Sequence, residues 1–138
     1  MLVESLQRLQ PVHLALYLRA HEAHWNVAGV GFYQAHKLFE EIYEDLHGVI
    51  DPLSENIRKL GGVVYSYQTP KGLELEVPTM RDPEALVQFL IGGFGIYSPF
   101  LLQAMADAAA ENEQGVLNFL AERQDANAKW LWFLRSSL

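Results

Sequence analysis

The chain has 138 residues, half of them hydrophobic and 20% charged, with a formal net charge of −7. One domain spanning 1–138 with a continuous core is expected at that size. The absence of cysteine excludes a disulfide framework and any thiolate metal site. The amino terminus lacks the basic and apolar regions of a secretory signal, so a cytoplasmic protein is expected.

The first helix is read from Leu2 to about Trp25, with Leu14, Leu18, His21 and Trp25 on one face. Pro11 either opens it or kinks it, because an interior proline removes one backbone hydrogen bond. Asn26 to Gly31 is a short glycine-containing break, which makes the first two helices antiparallel neighbours. From about Phe32 to Leu60, Phe39, Ile42, Leu46, Val49, Leu53, Ile57 and Leu60 recur at steps of three and four, the period of a buried helical stripe. Gly61-Gly62 ends that helix. Pro52 disfavours the α conformation at Asp51, so a kink or a restarted helix capped by Asp51 is expected there.

Residues 61–81 read as a long crossover. Within it Leu73 to Val77 alternates like a strand but is too short and unpartnered to make a sheet. Asp82-Pro83-Glu84 is a well-formed helix start. The third helix then runs without charge for the 22 residues from Ala85 to Ala106, long enough to span a bilayer. Gln88, Gln103 and the lack of a basic flank favour a buried inner helix over a membrane span. Gly92, Gly93, Gly95 and Pro99 weaken that helix, and close helix packing is the role they suggest. The last helix runs from about Val116 to the end, with Leu120, Trp130, Leu131 and Leu134 on its core side. The fold class is all-α: a four-helix bundle with a long crossover between helices two and three.

The ionisable residues are informative by their spacing. His24 lies just before the first break and His36 just after it, so the hairpin can set two imidazoles side by side. Asp51 and Glu55 are four apart, one above the other on a helix face. Asp51 nevertheless lies roughly 22 Å along the same helix from His36. Metal–ligand bonds of about 2.0–2.6 Å cannot close that gap within one chain. Two copies laid antiparallel about a two-fold axis near residues 43–46 can close it, setting His36 of one against Asp51 and Glu55 of the other. Mixed imidazole and carboxylate ligands suit a first-row metal such as iron. HEAHW is not the HExxH of zinc proteases, because its second histidine comes one position early. Glu44-x-x-His47 is half of an intrasubunit di-iron motif whose other half is missing.

At these residues the sequence resembles a known family. HxxHWNVxGxxFYxxHxxFEExYxxL, followed by DxxxExIxxLGG, is similar to the Dps miniferritins, and AKWLWFLRSSL is similar to their last helix. The resemblance implies a ferritin-like subunit, a hollow shell of twelve, and ferroxidase sites at dimer interfaces with His24, His36, Asp51 and Glu55 as iron ligands. It implies Fe(II) and hydrogen peroxide as substrates. Trp25, beside His24, becomes a candidate quencher of oxidising equivalents. Glu113 matches an acidic pore position, and Asn118 stands where a further pore acid is expected. DNA binding is not carried over: Arg8 and Arg19 are the basic residues of the first twenty, no lysine-rich arm is present, and the net charge of −7 repels phosphate. A DNA-protecting architectural protein and a ferritin-like scaffold silenced by Pro52 are the competing readings.

Overall fold

The computed structural model describes residues 1–65 and 80–138; the alternating stretch from Leu73 to Val77 lies outside them. The described residues form four α-helices: α1 (Leu2–Asn26), α2 (Phe32–Lys59), α3 (Pro83–Ala110) and α4 (Gln114–Ser136). Helix α1 packs against both α2 and α3, and α3 packs against α4. The shared core holds Leu6, Leu9 and Leu16 of α1, Phe39, Ile42, Leu46 and Ile57 of α2, Leu90, Phe94 and Tyr97 of α3, and Leu120 and Leu134 of α4. The α2 stripe is the one its period predicts, with Val49 and Leu60 at its half-buried edge.

The face of α1 that carries Leu14, Leu18, His21 and Trp25 is not its core face. Leu14, Leu18 and His21 are half-buried and Trp25 is exposed, whereas Leu6, Leu9, Leu16, Ala20 and Ala23 point inward. Aromatic bulk alone does not decide which side of a helix is covered.

Neither interior proline opens or restarts a helix. Helix α1 continues through Pro11 and α2 through Pro52. Asp51 is therefore an interior helical residue and not the cap of a restarted helix. An interior proline removes one i→i−4 bond, and here the packed stripe on either side outweighs that loss. The start of α3 matches its sequence signal: Asp82 accepts a hydrogen bond from the Ala85 amide at 3.0 Å, with Pro83 at the first helical position.

By length and composition α3 could cross a membrane. In the fold it buries Leu86, Leu90, Phe94, Tyr97, Leu101, Ala104 and Ala108 along one side, as an inner helix of a bundle does. Of its glycines, Gly93 marks a close approach. A Cβ there would stand 2.9 Å from Leu16 Cδ1 and 3.2 Å from Arg19 Nη1, so α1 and α3 need the missing methyl. Gly92 and Gly95 have nothing within 4 Å, so close packing does not explain them.

The interior also holds polar groups. His13 Nε2 lies 2.7 Å from the Leu46 carbonyl, which can only accept, so this nitrogen carries the proton. His13 Nδ1 then accepts from the Tyr97 hydroxyl at 3.0 Å. Burial lowers the His13 pKa to about 4 and raises that of Tyr97 beyond its usual range, so both stay neutral. Nearby, the Asp45 carboxylate of α2 accepts from Trp130 Nε1 at 2.6 Å and from the buried Arg123 guanidinium, both on α4. Asp45 thus ties α2 to α4.

Candidate metal centre

The hairpin between α1 and α2 occupies residues 27–31, where Gly29 and Gly31 take φ values of 99° and 85°. Side chains other than glycine rarely adopt this left-handed region. The tight reversal sets the last turn of α1 beside the first turns of α2. His24 and His36 face each other there, with rings stacked at a centroid distance of 3.8 Å and an interplanar angle of 19°.

Their hydrogen bonding is reciprocal. His24 Nδ1 lies 2.9 Å from the His36 carbonyl, and His36 Nδ1 lies 2.8 Å from the His24 carbonyl. A carbonyl only accepts, so each Nδ1 must carry the proton. In the neutral ring this leaves the lone pair on Nε2, and neither orientation nor tautomer is free to change. Metal-binding histidines are characteristically held this way, with the remote nitrogen donating to a carbonyl or carboxylate. The donor set fits a first-row metal on chemical grounds: two oriented imidazoles, both half-buried, each tied down through Nδ1.

Glu40 lies one turn beyond His36 on α2. Its carboxylate is held more acidic than usual, first by the hydrogen bond from Lys37 and also by the Lys37, His24 and His36 charges. Its i+4 spacing from His36 puts it on the same side of α2 as that histidine. Asp51 and Glu55 are exposed on α2, the former roughly 22 Å along the axis from His36. Among the described residues of a single chain, no three His, Cys, Asp or Glu side chains come together to hold a metal ion.

Trp25 is 63% exposed and lies over His21 at a ring distance of 4.0 Å. His21 is in turn stacked on Tyr43 at 3.9 Å and 9°, and it shares a hydrogen bond of 2.9 Å with the Tyr17 hydroxyl. Burial, and then the proximity of His24 and His47, lower the His21 pKa. Glu113 and Asn118 are both exposed, at the start of α4, and Asn118 Nδ2 donates to Glu122 at 3.2 Å.

A model of the ferritin-like domain matches residues 3–138. Among curated relatives, the DNA protection during starvation protein of Helicobacter pylori is 43% identical over 58 residues, which cover 42% of this chain and 40% of that protein. An uncharacterized protein of Haemophilus influenzae is 37% identical over 139 residues, covering 99% of this chain and 87% of its own length. Among solved structures, the Dps protein of Vibrio cholerae O1 superposes with a TM-score of 0.85 at 26% identity, over 98% of this chain and 87% of that one. That protein is described as a member of a broad superfamily of ferritin-like diiron-carboxylate proteins. The chain belongs to the ferritin-like proteins, and within them to the Dps-type miniferritins.

Proposed function

We propose that this chain is an iron-sequestering ferroxidase whose centre is completed by a second copy of itself. His24 and His36 of one subunit, with Glu40 beside them, face Asp51 and Glu55 of the other across a two-fold axis near residues 43–46. The arrangement gives two equivalent centres per dimer. The observation that carries the reading is the reciprocal clamp of His24 and His36, which aims two Nε2 lone pairs without involving either in the fold.

Fe(II) is the substrate. Two ferrous ions each give up one electron, and one hydrogen peroxide takes both electrons and two protons to become two waters. The imidazoles contribute neutral donors and the carboxylates contribute negative charge, a combination that favours the ferric product. The ferric ions are then retained in a hollow shell of twelve subunits, which removes both reactants of radical-forming chemistry. Trp25 stands where it can reduce an oxidant that escapes the centre. Glu113 and Asn118 lie at a junction suited to a cation pore.

The test is complementation between subunits. His24→Ala and Asp51→Ala each lower peroxide-dependent Fe(II) oxidation. When the two variants are dissociated, mixed and reassembled, every mixed dimer contains one doubly damaged centre and one intact centre, so activity returns. Were both ligand sets within one chain, mixing would restore nothing, and the proposal would be wrong.

A further inference from the structure

We propose that Lys37 is the resident cation of the metal-free centre: its ammonium group holds the Glu40 carboxylate, and an incoming divalent ion gains that carboxylate by displacing it. This rests on the metal-centre reading above and adds a residue that regulates it. Lys37 directly follows His36, and its Nζ lies 2.9 Å from Glu40 Oε2 in an i,i+3 ion pair. Glu40 stands one turn beyond His36 on α2 and brings the negative charge on this side of the centre. Across the two-fold axis it would meet Asp51 and Glu55 of the partner subunit. Three carboxylates brought together repel one another unless a cation stands among them. Lys37 supplies that cation from the same helix turn.

The pair is partly exposed, at 49% for the Lys37 side chain and 29% for that of Glu40. Exposed ion pairs are weak, which suits a placeholder that a dication must remove. A lysine is also the better choice for it than an arginine, whose planar fork would grip the carboxylate at two points. Lys37 is therefore a positioning residue: it acts on the metal through Glu40 and does not touch it.

The experiment titrates Zn(II) into the assembled metal-free protein by calorimetry. Lys37→Met is expected to bind up to roughly fivefold more tightly, the strength of one exposed ion pair expressed as affinity. The gain should narrow in high salt, where the pair is already screened. It should also vanish in a Glu40→Gln background, since Lys37 acts through that carboxylate. Lys37→Arg should bind no more tightly than the native protein. An unchanged or weaker affinity in Lys37→Met would overturn the assignment, as would a gain of equal size without Glu40. His24→Ala in the same titration separates the two levels: if it leaves Zn(II) affinity intact, the centre itself is misplaced and the role of Lys37 goes with it.

Discussion

His13 offers a prediction that needs no metal. In the unfolded chain its imidazole titrates at the ordinary value of 6.5, and in the fold burial lowers that to about 4. Between those values the unfolded chain takes up a proton that the folded chain refuses. Stability therefore rises with pH across this window: the contribution is complete above 6.5 and is lost as pH falls towards 4. At 1.36 kcal/mol per unit, the window amounts to about 3 kcal/mol from this one side chain. Replacing His13 with glutamine removes the titration. The variant should be less stable at neutral pH, because an amide cannot serve both the Leu46 carbonyl and the Tyr97 hydroxyl with the same geometry. Its stability should then fall much less steeply than that of the native protein between pH 6.5 and 4. Equilibrium urea unfolding at fixed protein concentration measures both, since assembly makes the midpoint concentration-dependent. Equal pH slopes for the two proteins would refute the reasoning, as would an NMR titration placing folded His13 near 6.5.

Other predictions follow from single observations. Asp45→Ala leaves the Arg123 guanidinium, whose side chain is 3% exposed, without its carboxylate, and should cost about 3 kcal/mol or more by chemical denaturation. Gly93→Ala drives a methyl into Leu16 and Arg19 and should destabilise by about 1–3 kcal/mol, whereas Gly92→Ala, with open space, should stabilise by about 0.5–1 kcal/mol in the same melts. Asp82→Ala removes the cap of α3 and should cost about 1 kcal/mol. His24→Ala should reduce Co(II) binding by at least about tenfold, while His36 keeps its ring orientation, because its acceptor is the backbone carbonyl of residue 24 and not the lost side chain.

The bundle was legible in the sequence where one period ran long enough to be unambiguous. The α2 stripe from Phe39 to Ile57 and the Asp82-Pro83-Glu84 start are local signals, and tertiary structure does not contradict them. At Pro11 and Pro52 the local rule left open whether the helix restarts; packing decides it, since both helices are anchored on either side by buried apolar residues. The core face of α1 was not legible, because its inward side is partly built from small residues such as Ala15, Ala20 and Ala23. The buried network of His13, Tyr97, Asp45, Arg123 and Trp130 left no trace in the pattern, since charged residues at i, i+3 and i+4 look the same whether they face water or one another. At the candidate centre, the spacing of His24 and His36 located the pair, but only coordinates could supply the reciprocal hydrogen bonds. Nothing in the sequence singles out Glu40, which stands with Glu41, Glu44 and Asp45 as one acid in a row of four.

The clamp on the two histidines has a consequence for how this hairpin tolerates change. Both acceptors are main-chain carbonyls at the mouth of the turn, so ring alignment is written into the path of the backbone between residues 27 and 31. A surface turn ordinarily accepts an inserted residue at small energetic cost. Here one extra residue would rotate α2 against α1 and uncouple the imidazoles while leaving the apolar stripe free to repack. Natural variation in the length of this connection would therefore be read first as lost metal affinity, in chains that still fold.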